Sequence, residues 1–232
     1  MIKVFAILSL LVGAVLLVRM PTADVAETPA VDRAAQRVKA DFRRFEKAEG
    51  SSADFADMPV PIRVGDMTLF IEAYNTLHHR LGNFRWISTT LCLILATHAL
   101  VLLLVRTAAK GTAGDSRRLT LKTVAWLILA IAGITLSGVL TPSIASDAYI
   151  YRGVRRAAYD YYQFEKQQGT AEGFTEMLVP VQAGDMGLFL TAYRWKGEKL
   201  ADYRALCIGL GTLIAACSLF QLLRRPAARM VG

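Results

Sequence analysis

The sequence predicts an all-α integral membrane protein. Four membrane-crossing helices arise from a tandem duplication of a two-span unit, and each unit carries an extracytoplasmic antiparallel helical hairpin. Three observations predict this: four separate apolar runs, self-similarity at one fixed offset, and a charge excess confined to short segments. The chain has 232 residues, 54% apolar and 20% charged, with a net charge of +8. Mean hydropathy is +0.37 and the apolar residues are bunched, which excludes a disordered chain, a fibrous chain and an ordinary soluble enzyme.

Trp86 to Val105 is 20 residues without a formal charge, Ala205 to Leu223 is 19, and Lys122 and Asp147 enclose 24. Each is long enough to cross a hydrocarbon core of roughly 30 Å. The first run, Val4 to Val18, has 15 residues between Lys3 and Arg19. Alone it fits a signal peptide as well as a span whose flanking cations snorkel to the interfaces.

The internal repeat favours the retained span. Phe45-Glu46-Lys47 recurs as Phe164-Glu165-Lys166, and Gly65-Asp66-Met67-x-Leu69-Phe70 recurs as Gly184-Asp185-Met186-x-Leu188-Phe189. Both recurrences lie 119 positions on (164 minus 45, 184 minus 65). The offset holds without insertion from Ile2–Ala113 onto Leu121–Gly232, with about a third of the pairs identical. Lys3 falls on Lys122, and a cleaved signal peptide has no reason to match an internal span.

Repeat one is therefore 2–113, with spans near 3–20 and 86–105 and an outer hairpin over 21–85. A linker covers 114–120. Repeat two is 121–232, with spans near 121–141 and 205–223 and a hairpin over 142–204. Two spans per repeat give both the same orientation, related by a pseudo-two-fold axis along the membrane normal.

The charges set the orientation. The N-terminus, linker and C-terminus hold nine basic residues against Asp115 alone, which accounts for the whole +8. The long loops balance 18 basic against 18 acidic residues. The positive-inside rule then places both termini and the linker in the cytoplasm and both loops outside the cytoplasmic (inner) membrane. The basic excess reads as topology and attraction to anionic lipid, and no nucleic-acid motif accompanies it. Cys92, Cys207 and Cys217 all fall within spans, so the outer loops have no disulfide framework.

Within the loops, Val31, Ala35, Val38, Phe42 and Phe45 follow a 4, 3, 4, 3 spacing, as do Phe70, Tyr74, Leu77, Leu81 and Phe84. That spacing lays one stripe along each of two helices. The first arm stops at Gly50, or Gly169 in repeat two. The second begins at Asp66 or Asp185, where a carboxylate caps free N–H groups. Pro21 and Pro142 are expected to kink or interrupt the first helix of each repeat as it leaves the membrane. Between the arms lies a turn of about 15 residues.

The best-retained pattern supplies the candidate hairpin-tip or partner-binding residues. They are Phe55, Met58, Pro61, Gly65, Asp66, Met67, Phe70 and Tyr74, and in repeat two Phe174, Met177, Pro180, Gly184, Asp185, Met186, Phe189 and Tyr193. Two readings compete: a plug folded over the end of the hairpin, or an apolar surface offered to a partner. His98 is the polar residue near the middle of a span, expected to bond a neighbouring helix.

No nucleophile–base pair, metal set or phosphate loop is present, so neither an enzyme nor a cofactor is expected. The expected function is a non-enzymatic membrane interaction protein: a scaffold, assembly subunit or toxin-immunity protein. Its partners are the lipid bilayer and a protein at the outer hairpins, with a homo-oligomer left open. The alternative is a small channel or transporter with a path between the repeats near Thr97, His98, Thr135 and Ser137.

Overall fold

A computed structural model describes residues 2–23, 29–107, 115–140 and 147–223. The elements are α1 (Ile2–Ala23), α2 (Pro29–Glu49), β1 (Pro59–Arg63), α3 (Val64–Thr107), α4 (Asp115–Leu140), α5 (Ala148–Gln168), β2 (Leu178–Gln182) and α6 (Ala183–Leu223). Short 3-10 turns at Phe55–Asp57 and Phe174–Glu176 precede the strands. The fold is mostly helical, as the periodicity predicts. α2, β1 and the first residue of α3 recur in α5, β2 and the first residue of α6 at the same offset of 119 (148 minus 29, 178 minus 59, 183 minus 64).

Two helices hold stretches long and apolar enough to cross a membrane, Val64–Leu103 within α3 and Ala183–Leu223 in α6. α1 and α4 supply shorter apolar stretches, Val4–Leu16 and Thr123–Val139. α3 passes Gly82 without a break, and α1 passes Pro21 before ending at Ala23. Pro142 and the basic residues Lys110, Arg224, Arg225 and Arg229 lie outside the described residues.

The chain divides into two compact units. The first comprises 1–24, 82–141 and 201–232; the second comprises 25–81 and 142–200. In the first unit, Leu91, Leu95, Leu210 and Ile214 form a buried apolar core. Ser88 and Cys207, which stand 119 apart, meet there at 3.1 Å.

The second unit departs from a pair of separate hairpins. The expected turn contains a strand, and the two strands join in an antiparallel pair. Pro61 faces Pro180 at the centre of the register, with Val60 opposite Val181 and Ile62 opposite Val179. Proline has no N–H, so it fits a ladder only where its nitrogen points away from the neighbouring strand. Pro59, Pro61 and Pro180 thus leave Val60, Ile62, Val179 and Val181 to bond across the pair. Those four side chains are fully buried. The same prolines blunt the outer strand edges against a further strand.

α2 packs on β1 and α5 on β2. The start of each long helix is tied to the other segment: Val64 N–H donates to Met177 O and Ala183 N–H to Met58 O, both at 2.9 Å. Below the strands, Phe70 and Phe189 stand 4.9 Å apart between ring centres. Tyr193 and Tyr74 flank them at 5.0 and 4.9 Å. This four-ring cluster and the flanking Met67 and Met186 fill the core of the second unit.

Removing Phe189 leaves a cavity that the opposed rings cannot close. Phe189→Ala is expected to destabilise the second unit by about 3–5 kcal/mol, read by chemical unfolding in mild detergent.

Candidate functional site

The structure divides the retained pattern between core and surface. Met67, Phe70, Met186 and Phe189 are fully buried, Tyr193 is buried and Tyr74 half-buried. Phe55, Met58, Phe174 and Met177 are half-buried, and Pro61 and Pro180 are exposed. Phe55 packs against Phe42 and Phe45 of α2, and Phe174 stacks on Phe164 of α5. Gly65 and Gly184 permit a close approach. A Cβ at either would stand 3.2 Å from a backbone oxygen, of Thr175 and Ala56 respectively.

Asp66 and Asp185 lie in the first turns of α3 and α6, as expected, but their carboxylates serve a different end. Arg37 grips Asp66 through Nε at 2.9 and 3.0 Å and through a terminal nitrogen at 2.6 Å. The forked guanidinium matches both oxygens, and the bond raises the Arg37 pKa further. The counterpart pair, Arg156 and Asp185, is looser at 3.9 Å. Burial pushes the Asp185 carboxyl above its ordinary range, and Arg156 only partly opposes it.

Gly169 caps α5, which ends at Gln168 as the sequence predicts. Its backbone is right-handed (φ −63°, ψ −15°), and glycine is needed there because a Cβ would collide with Glu165 O. Gly173 supplies the positive φ, at +71°, two residues before Thr175.

Lys196 is a feature that the stripe did not foresee. It occupies the place corresponding to Leu77 and is only 4% exposed. Its ammonium lies 3.6 Å from the centre of the Tyr74 ring and donates to His78 Nδ1 at 3.1 Å. Burial lowers its pKa to about 8. Burial and the adjacent Lys196 also lower His78, so the imidazole is neutral and free to accept. A charged side chain in an otherwise apolar stripe was the available sequence signal. Its burial depends on Tyr74 and His78, more than 110 residues away.

In the first unit, His98 is fully buried. Gln221 Nε2 donates to its Nδ1 at 3.0 Å, and Nε2 then donates to Ser218 Oγ at 3.3 Å. The Phe5 ring covers it at 4.8 Å. No group of three His, Cys, Asp or Glu side chains able to hold a metal ion occurs among the described residues.

Two outcomes test these sites. Arg37→Ala should lower the unfolding temperature more than Arg156→Ala, because the former strands a carboxylate held bidentately. For Lys196, the folded pKa of about 8 lies below the 10.5 of an exposed lysine. The unfolded chain therefore holds the proton more tightly, so stability rises as pH climbs from about 8 to 10.5. Lys196→Leu should stabilise the protein by about 1–3 kcal/mol at pH 7, with the gain shrinking toward pH 10 in chemical unfolding.

No family model, no curated protein and no solved structure matches the chain.

Proposed function

We propose that the protein is a four-span inner-membrane protein, formed by tandem duplication, that binds another protein through its outer helical unit. The surface chemistry of the two units supports the membrane reading. Of the 25 large apolar side chains exposed among the described residues, 20 belong to the first unit, including Leu11, Trp86, Trp126, Ile134 and Phe220. Apolar side chains facing outward from a core that is itself apolar suit a lipid solvent. The charge distribution then sets both termini in the cytoplasm and the second unit outside.

One observation carries the interaction reading. Tyr151, Arg155, Tyr159 and Tyr162 follow a 4, 4, 3 spacing on α5, and all four are exposed. The spacing keeps them within about 80° of arc on one helix face. Arg155 stacks on Tyr151 at 5.8 Å. Tyrosine and arginine dominate the energetic centres of protein interfaces, since each offers a large contact area and a polar end. The α2 positions at the same offset are Asp32, Gln36, Ala40 and Arg43, with no aromatic residue. The contact face therefore belongs to one repeat, and it lies beside the retained tip pattern instead of within it. A scaffold or assembly role fits an outer unit held by packing.

The channel reading draws less support. The hydroxyls of Thr97, Thr135 and Ser137 bond carbonyls of their own helices, to Leu93, Ile131 and Ile134. Such groups contribute little to a hydrated path.

A photo-crosslinking amino acid at Tyr159 should give one adduct of fixed mass in living cells, suppressed by Tyr151→Ala with Tyr162→Ala. Adducts only to lipid or to many proteins would sink the interaction reading. Cysteines placed at Ala53 and Ala171 should react with a membrane-impermeant maleimide in intact cells, while one at Thr112 should react only after permeabilisation. Equal labelling of all three would overturn the topology.

A further inference from the structure

The second unit contains a cleft of about 440 Å³ between α2 and the first turns of α6. That volume falls in the range of small-molecule sites. Its floor is apolar, with Phe42 and Phe55, and Gly187 leaves space where a side chain would otherwise stand. A Cβ at Gly187 would meet the tip of the Phe42 ring at 3.4 Å. Its rim carries Lys39, Arg43 and Arg194 against the single acid Glu46.

The corresponding face between α5 and α3 is built otherwise. There Thr68 replaces Gly187 and Tyr161 replaces Phe42, and their hydroxyls bond at 2.7 Å. Tyr161 also donates to Glu165 at 3.3 Å. The two hydroxyls meet where, on the first face, glycine stands beside a phenylalanine ring. The three cations correspond to Ala158, Tyr162 and Asn75, none of them charged. Space and positive charge thus occur together on one face, while the corresponding positions of the other hold a hydroxyl pair and no cation. Packing does not demand the three cations, since the corresponding positions do without them.

The geometry points to a binding site, independent of the partner reading, for a small organic carboxylate with an aromatic or branched aliphatic body. The body lies on Phe42 and Phe55 in the space above Gly187, and the carboxylate meets the cationic rim. Arg43 and Arg194 offer planar forks suited to two carboxylate oxygens. Lys39 is held with its ammonium 4.6 Å from the centre of the Tyr193 ring, so one wall of the rim is preset. Arg194 lies 3.8 Å from Glu198 in an exposed pair that a carboxylate can displace. Glu46 discriminates against a second anionic group at its end of the cleft.

The test uses the full chain in phosphatidylcholine nanodiscs and the photoprobe 4-benzoylbenzoate. After irradiation, peptide mapping should place adducts within 39–55 and 183–194. Competition by 2-naphthoate should suppress them, and the neutral 2-naphthamide should not. The variant carrying Lys39→Ala, Arg43→Tyr and Arg194→Asn takes the residues of the corresponding face and should lose about tenfold or more in labelling. Gly187→Leu, which fills the cleft with every charge intact, should lose as much. Circular dichroism checks the fold of both variants, and if the triple variant does not fold, Gly187→Leu decides alone. Adducts confined to the apolar helices, equal competition by the amide, or full labelling of a folded variant would overturn the proposal.

Discussion

The second unit depends on the pairing of β1 with β2. Two five-residue strands are a small sheet, yet they fix which residues meet. Because Pro61 opposes Pro180, the backbone contacts flanking the strands come in reciprocal form. The bond from Val64 to Met177 repeats as that from Ala183 to Met58, and the approach of Gly65 to Thr175 repeats as that of Gly184 to Ala56. The strands bury Val60, Ile62, Val179 and Val181 and set the starts of α3 and α6 side by side. Phe70 and Phe189, each six residues into its helix, then come into contact. A slip of one residue would turn the four buried aliphatics outward and bring a proline into the bonding position, so the register has no near alternative.

On this shared backbone the two segments differ in what they expose and what they enclose. α5 carries tyrosines on its outer face where α2 carries short or charged residues. The α2 side opens a cleft rimmed by cations, and the corresponding positions of the α5 side hold a hydroxyl pair and no cation. Lys196 enters a stripe whose other copy holds Leu77, and it is tolerated because Tyr74 and His78 receive its ammonium. Each difference changes side chains alone. The tightness of the shared core explains why: glycine, methionine and aromatic positions there leave no slack, while surface and groove positions accept change.

Much of the fold was legible in the sequence because its signals are local. The stripe through Val31, Ala35, Val38 and Phe42 foretold α2 and its buried face, and Phe70, Leu77 and Phe84 did so for α3. The strands were not legible. Pro59-Val60-Pro61-Ile62 reads as a turn, since two prolines disfavour a ladder unless the partner and the bonding side are known. The use of Asp66 was hidden for a related reason. A carboxylate in a first helical turn reads as a cap, and only the position of Arg37 on another helix turns it into a bidentate ion pair. The cleft depended on comparing Gly187 with Thr68, and that comparison acquires meaning only once each faces an aromatic ring.

By itself, then, the sequence determined the helical class, the apolar stretches and the frame of 119 residues. Hydropathy, periodicity and repetition are properties of neighbours along one chain. The tertiary structure alone decided that the retained tip pattern becomes a strand pair and an aromatic core, and that a cationic cleft opens between α2 and α6. Those features require residues more than a hundred positions apart to meet, and burial and hydrogen-bond geometry choose such meetings only in three dimensions.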